Sequence, residues 1–137
     1  MPIETNIFYV DDDADDQLLF QEAFQEITPS LDFNVNLYHA QDGIDFFNLL
    51  HKTRVIPDIT FLDINMPKKN GFECLSEMKS SEKYRDKPVV MISTSESREL
   101  ISKAHQLGAD KYIVKPVDFS ELKEAIKKCI DEYKATA

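Results

Sequence analysis

Acidic side chains stand directly after two short apolar runs of this sequence. Asp11 and Asp12 follow the run at residues 7–10, and Asp63 follows the run at residues 59–62. Carboxylates held within a few ångströms of one another repel, and a divalent cation relieves that repulsion. A site with few protein oxygens, completed by water, suits Mg²⁺. The acids therefore predict a magnesium site, provided that the fold brings the two runs together.

A hydroxyl and an amine follow two later apolar runs. Ser93, with Thr94 beside it, ends one run, and Lys115 ends the other. An amine supplies positive charge to an oxygen of a transferred phosphoryl group, and a hydroxyl donates to another oxygen. The carboxylate of Asp63, which follows the middle run, can attack phosphorus as a nucleophile. The whole set predicts phosphoryl transfer to an aspartate.

The elements that must position these groups alternate between strands and amphipathic helices. Short apolar runs predict strands, and apolar residues recurring at i, i+3, i+4 and i+7 predict the helices between them. The predicted strands cover residues 7–10, 33–37, 59–62, 89–92 and 112–114, and the predicted helices cover 15–27, 43–50, a segment beginning after residue 70, 100–107 and 118–134.

Such an alternation implies right-handed crossovers and a parallel sheet that is covered on both faces. In these sheets functional groups gather beyond the carboxyl ends of the strands. We expect one α/β doubly wound (βα)5 domain over residues 1–137, with a core at about 6–134 and no output domain.

Composition excludes several classes of function. The net charge is −9, and residues 1–66 hold 13 of the 25 acidic side chains but only 2 of the 16 basic ones. An acidic chain opposes the phosphates of nucleic acid. No apolar run approaches the roughly 20 residues that cross a bilayer, and no secretory signal is visible at the N-terminus. We expect a cytoplasmic protein that binds neither nucleic acid nor membrane.

Cysteine and histidine do not suggest a zinc site. Cys74 and Cys129 form no CxxC motif, and the three histidines are scattered singly. We expect both cysteines to be buried apolar residues.

Five short segments resemble the motifs of bacterial response-regulator receiver domains, and they occur in the right order. They are IFYVDDD at residues 7–13, ITFLDINMP at 59–67, Gly71, PVVMIS at 88–93 and YIVKP at 112–116. The resemblance covers nearly the whole chain. It implies a flavodoxin-like sheet with the order 2-1-3-4-5 and a stand-alone, chemotaxis-regulator-like receiver of a two-component system.

The resemblance implies a role for each site residue. Asp63 is expected to accept the phosphoryl group. Asp11 and Asp12 are expected to form the acidic pair that binds Mg²⁺, with Asp12 as the more direct ligand. Asn65 would offer its backbone carbonyl to the metal, and Lys115 would contact the phosphoryl group.

The resemblance also implies a conformational switch. Ser93 is expected to be the switch hydroxyl, with Thr94 as its neighbour and Tyr112 as the rotating aromatic side chain. The peptide bond between Lys115 and Pro116 is expected to be cis.

Three further acids continue the first motif into the first helix. Asp13, Asp15 and Asp16 are expected to be residues at a helix N-terminus that interact favourably with the helix dipole.

Two other functions are weighed against the receiver. A haloacid-dehalogenase-like phosphatase, which also forms an aspartyl phosphate, would need a second Asp two residues after Asp63, where this chain has Asn65, and an inserted cap for which 137 residues leave no room. A flavodoxin-like cofactor carrier would need a Ser, Thr and Gly-rich loop after the first strand, where this chain has three Asp. No P-loop or GxGxxG motif is present.

The resemblance also implies partners. The donor would be a sensor histidine kinase or a histidine phosphotransfer protein, and the domain would act only on its own phosphoryl group. The output would be contact with a protein target or a second copy. We expect that contact on the face formed by the fourth helix, fifth strand and fifth helix, which carries Lys103, Lys111, Lys123 and Lys127.

Overall fold

The chain forms a single parallel sheet between two layers of helices. A computed structural model describes residues 4–136. Its elements are β1 (Glu4–Val10), α1 (Ala14–Ile27), β2 (Asn34–Ala40), α2 (Gly43–Thr53), β3 (Ile59–Leu62), α3 (Gly71–Ser80), β4 (Val89–Ser93), α4 (Arg98–Gln106), β5 (Lys111–Val114) and α5 (Phe119–Thr136). The strand order is β2-β1-β3-β4-β5, and every pairing is parallel. This order and the α/β class confirm the predicted fold.

The hydrophobic core has two parts, one on each face of the sheet. Alternate residues of a strand point to opposite faces, so Phe61 packs toward α1 and α5 while Leu62 packs toward α2, α3 and α4. Every residue of β3 and β4 is buried. Strands buried on both faces are continuously apolar, which is why these two runs stand out in the sequence. Both cysteines are buried within this core.

The edge strand β2 extends beyond its predicted bounds. It pairs with β1 from Glu4↔Asn34 to Val10↔Ala40, so both strands are longer than the apolar pattern indicates. Most of β2 is only half-buried. Polar residues are tolerated there, and an apolar pattern therefore understates its length.

Local signals fix the start of α3 against the end of β3. The Asn70 side chain accepts a hydrogen bond from Glu73 N–H and the Glu73 side chain accepts one from Asn70 N–H, and together these bonds form a capping box. A side chain at Gly71 would place its Cβ 2.2 Å from the carbonyl oxygen of Asp63. Glycine is therefore required where α3 starts against the backbone of Asp63.

Candidate functional site

The candidate site lies where four neighbouring strands end. Asp11 follows β1, Asp63 follows β3, Ser93 is the last residue of β4 and Lys115 follows β5. The backbone ties these positions together, because Asp63 N–H donates to Val10 O at 2.9 Å and Lys115 N–H donates to Ser93 O at 2.7 Å. Since the strands are parallel and adjacent, their carboxyl ends meet at one edge of the sheet.

Three carboxylates converge at this edge. Oxygen atoms of Asp11, Asp12 and Asp63 all lie within 4.8 Å of one another. Asp11 is fully buried and Asp63 nearly so, whereas Asp12 is exposed. This is an all-oxygen donor set with one side open to water, and it fits the ligands that Mg²⁺ prefers.

Asn65 lies near this cluster. It is exposed, and with Asp12 and Leu100 it lines an open cleft next to the three acids. Its predicted role as a metal ligand through the backbone carbonyl stays a prediction.

Lys115 places a positive charge among the acids. Its Nζ lies 2.7 Å from Asp11 Oδ2, 2.8 Å from Asp16 Oδ2 and 3.4 Å from Asp63 Oδ1. Burial alone lowers the pKa of this amine, but the hydrogen bonds that it donates to Asp11 and Asp16 outweigh burial and raise the pKa above its ordinary value. The amine is therefore a permanent cation at neutral pH.

The Asp63 carboxyl is harder to ionise than an ordinary aspartate. Burial and the charge of Asp11 raise its pKa to about 6, against a partial lowering by Lys115. At neutral pH the carboxylate is still the main form, so it remains available as a nucleophile.

Asp11 is held by contacts from several directions. Its Oδ2 accepts hydrogen bonds from the Tyr9 hydroxyl and from Lys115, and its Oδ1 accepts one from Asp13 N–H at 3.0 Å. The Tyr9 ring stacks on Phe20 with 4.0 Å between ring centroids. Burial, and then the charge of Asp11, raise the pKa of the Tyr9 hydroxyl, so it stays a proton donor.

Tyr9 and the role of Asp16 were not predicted from the sequence. In the sequence Tyr9 is typical of an aromatic residue in a buried strand. It lies two residues before Asp11, however, and side chains at i and i+2 along an extended chain point to the same side. That spacing is the signal that could have found it. Asp16 has no comparable signal, because its contact with Lys115 spans 99 positions of the chain.

The three additional acids have different roles. Asp13 is the N-cap of α1, and its side chain accepts hydrogen bonds from the backbone N–H groups of Asp15 and Asp16. Asp15 is an exposed residue of the first turn, as predicted. Asp16 also lies in the first turn, as predicted, and in addition its carboxylate forms an ion pair with Lys115.

The predicted switch residues are connected through Ser95. Ser93 is fully buried, and its hydroxyl accepts a hydrogen bond from Ser95 N–H at 3.2 Å. Tyr112 is half-buried, and its hydroxyl donates to Ser95 O at 2.9 Å. Thr94 is exposed. The β4–α4 connection therefore links the site edge to Tyr112.

One expectation about the backbone is wrong. The peptide bond between Lys115 and Pro116 is trans, not cis. A trans bond is preferred before proline by about 0.5–1 kcal/mol unless the surroundings impose the other form. Here the Lys115 amine already reaches Asp11 and Asp16 with the trans bond in place.

No helix within residues 4–136 is long and apolar enough to span a bilayer.

Comparison with known proteins agrees with the fold. The sequence profile of the response regulator receiver domain matches residues 7–127. The probable methanogenesis regulatory protein FilR2 of Methanothrix harundinacea (strain 6Ac) is 33% identical over 132 residues, which cover 93% of this chain and 81% of that protein.

Two solved structures are similar over most of their length. The phosphorylated cyanobacterial phytochrome response regulator RcpA has a TM-score of 0.86 and 30% identity, covering 98% of this chain and 97% of that chain. The Mn(2+)-bound form of response regulator Rcp1 has a TM-score of 0.78 and 25% identity, covering 90% of both chains. This chain therefore belongs to the response regulator receiver domains of two-component systems.

Proposed function

We propose that this domain accepts a phosphoryl group on Asp63 from a sensor histidine kinase or a histidine phosphotransfer protein, in a reaction that depends on Mg²⁺. One observation carries the proposal. The buried Asp63 carboxylate lies within 4.8 Å of oxygens of Asp11 and Asp12, and the Lys115 amine lies 3.4 Å from it. A carboxylate nucleophile surrounded by ligands for a cation and by a fixed positive charge suits phosphoryl transfer.

Asp63 would act as the nucleophile. One of its carboxylate oxygens forms a bond to phosphorus while the bond between phosphorus and the donor's histidine nitrogen breaks, and that nitrogen keeps the electron pair. With a pKa of about 6, Asp63 is mainly ionised at neutral pH. Burial removes water that would otherwise weaken its attraction to nearby positive charge.

The residues present fit a divalent cation. Asp11, Asp12 and Asp63 would hold Mg²⁺ through carboxylate oxygens, and Asn65 would contribute its backbone carbonyl. The cation would supply charge that offsets the acids and the incoming phosphoryl group. The similarity to Rcp1, which is described with Mn(2+) bound, supports this assignment.

Lys115 would bind an oxygen of the transferred group. The Lys115 side chain is only 13% exposed, and its amine already lies among Asp11, Asp16 and Asp63. A short approach toward Asp63 would bring it to a phosphoryl oxygen, where a charge-assisted hydrogen bond stabilises the product.

Phosphorylation would switch a protein-binding face. Ser93 would be drawn toward the phosphoryl group, and its movement would change the Ser95 backbone to which Tyr112 is bonded. We place the output on the face formed by α4, β5 and α5, because Tyr112 lies in β5. The occupant would be a protein target or a second copy of the domain, not nucleic acid.

The lysines on that face offer less free charge than the sequence suggests. Lys111 pairs with Glu132, Lys127 lies 2.8 Å from Asp131, and Lys123 lies 3.1 Å from Glu26. The Lys103 amine lies 4.6 Å from the centre of the Phe72 ring. Recognition there would therefore depend on shape and apolar contact as much as on charge.

Phosphotransfer profiling tests the donor. Phosphorylated sensor kinases and phosphotransfer proteins of the source organism are mixed briefly with the wild-type chain and with Asp63→Asn. We expect rapid transfer from one or a few donors to the wild type and none to the variant. If no donor distinguishes the two proteins, the proposed function is wrong.

A further inference from the structure

Asp16 reaches the acidic site from a helix, whereas the other site residues come from strand ends. It lies in the first turn of α1, where Asp13 caps the helix by accepting hydrogen bonds from the N–H groups of Asp15 and Asp16. The cap fixes this turn, and the Asp16 Oδ2 then lies 2.8 Å from the Lys115 amine. Asp15, one residue earlier, is exposed, and its negative charge interacts favourably with the helix dipole. That interaction does not require Asp16.

The hydrogen bonds of Lys115 leave one donor facing Asp63. An ammonium group has three N–H donors. Two of them are used by Asp11 and Asp16, at 2.7 and 2.8 Å. Asp63 Oδ1 lies at 3.4 Å, beyond the length of about 2.7–2.9 Å that a charge-assisted hydrogen bond adopts. Phosphoryl oxygens attached to Asp63 would extend beyond Oδ1 and could use the third donor.

Asp11 alone is poorly suited to hold this amine. The same Asp11 oxygen accepts from the Tyr9 hydroxyl, and Asp11 also belongs to the cluster of three carboxylates that would bind a cation. Asp16 lies outside that cluster. It can therefore remain the partner of Lys115 whatever Asp11 binds.

We propose that Asp16 is a positioning residue, which holds the Lys115 ammonium beside Asp63 so that its free N–H meets a phosphoryl oxygen. This inference rests on the proposed function, because it concerns the same lysine. The Lys115 side chain is flexible, and its loss of freedom would otherwise oppose binding of the phosphoryl group. The side chains of Lys115 and Asp16 are only 13% and 33% exposed, so solvent screens this ion pair less than a pair on the surface.

The test separates binding of the phosphoryl group from binding of the metal. Wild type, Asp16→Ala and Asp15→Ala are titrated first with Mg²⁺ alone and then, at saturating Mg²⁺, with beryllofluoride, a mimic of the phosphoryl group. Asp15→Ala is the matched control, because it removes the same charge from the same helical turn. Asp16→Asn keeps an accepting oxygen and provides a second variant.

We expect Asp16→Ala to bind beryllofluoride about fivefold more weakly than Asp15→Ala. The loss should be this modest because the ion pair between Asp16 and Lys115 is partly exposed to water. The affinities of these two variants for Mg²⁺ alone should agree within about twofold. Asp16→Asn should bind beryllofluoride with intermediate affinity. Circular dichroism checks that each variant is folded.

Equal or tighter beryllofluoride binding by Asp16→Ala, relative to Asp15→Ala, would overturn the inference. Tighter binding would mean that Asp16 competes with the phosphoryl group for Lys115. Parallel losses of Mg²⁺ and beryllofluoride affinity would also overturn it, because they indicate a general charge effect. A wild type that binds no beryllofluoride at all would overturn the proposed function, and the inference with it.

Discussion

The Tyr9 hydroxyl donates a hydrogen bond to the buried carboxylate of Asp11, which follows β1 two residues further along the chain. Tyr9 lies in β1, and its ring is fixed by stacking on Phe20. A central acid of the site is therefore held by a hydroxyl group that belongs to the core. Because of this hydrogen bond, the stability of the fold depends on Asp11, a residue of the site.

Replacing Tyr9 with Phe should destabilise the domain in the absence of metal. The change keeps the ring but removes one of the donors to the fully buried Asp11. Hydrogen bonds to charged groups contribute about 1.5–3 kcal/mol, and the remaining donors to Asp11 should limit the loss in free energy of unfolding to about 1–2 kcal/mol. Urea unfolding in EDTA measures it.

Tyr38→Phe is the control for that measurement. Tyr38 also lies in a strand, β2, and stacks on a phenylalanine, Phe8, but the tyrosine hydroxyl that donates to Asp11 is that of Tyr9. We expect its free energy of unfolding to change by less than about 0.5 kcal/mol. Equal losses in the two variants would show that the Tyr9 hydroxyl contributes nothing particular to the site.

Asp63 should make stability depend on pH in the acidic range. Its folded-state pKa is about 6, above the ordinary value of 3.8, mainly because of burial and then because of the charge of Asp11. Between these pH values the folded chain holds more protons than the unfolded chain. The contribution of Asp63 to stability should therefore decrease as pH rises from about 3.8 to about 6.

The variant Asp63→Asn isolates this effect, because asparagine does not ionise. Relative to wild type without metal, it should be more stable at pH 7 by about 3 kcal/mol, and the advantage should shrink toward pH 4. Urea unfolding of both proteins across that range measures the difference. A difference that does not change with pH would contradict the raised pKa.

Removing the exposed acid of the cluster should weaken metal binding. Asp12→Ala deletes one of three carboxylates whose oxygens lie within 4.8 Å of one another. The affinity for Mg²⁺ should fall by more than about tenfold, since few protein ligands remain. Without metal the variant should be slightly more stable, because repulsion among the acids is relieved.

Isothermal titration with Mg²⁺ measures that loss, and Asp15→Ala serves as its control. Asp15 carries the same charge in the first turn of α1 but lies outside the cluster. Equal Mg²⁺ affinity in wild type and Asp12→Ala would remove Asp12 from the metal site.

The link from Ser93 through Ser95 to Tyr112 should report on occupancy of Asp63. With beryllofluoride and Mg²⁺ bound, we expect changes in the amide NMR signals of all three residues, because the hydroxyls of Ser93 and Tyr112 both bond to the Ser95 backbone. Tyr112→Phe should reduce the changes in β5 while it leaves those at Ser93. Changes restricted to the neighbours of Asp63 would argue against a switch.

The sequence predicts the fold and the meeting of the strand-end residues because both follow from simple rules. Buried central strands are continuously apolar, and the carboxyl ends of parallel strands share one edge, so Asp11, Asp63 and Lys115 are predictable neighbours. The roles of these residues stay predictions. Asp16 was not predictable as a partner of Lys115, because their contact depends on how α1 packs beside the site.

Two other differences have local causes. The expected cis bond before Pro116 came from family resemblance, and the structure has the ordinary trans form. Tyr9 was not identified because a buried strand aromatic usually serves only the core, and its hydroxyl contact depends on the side-chain geometry of Asp11.

Phosphorylation by a small-molecule donor tests the central claim most directly. Wild type, Asp63→Asn and the charge-matched Asp15→Asn are incubated with acetyl phosphate and Mg²⁺, and their intact masses are measured. We predict that wild type and Asp15→Asn each gain one phosphoryl group, and that Asp63→Asn gains none. Labelling of Asp63→Asn to the same extent as wild type, or a wild type that is never labelled in the presence of Mg²⁺, would contradict the account.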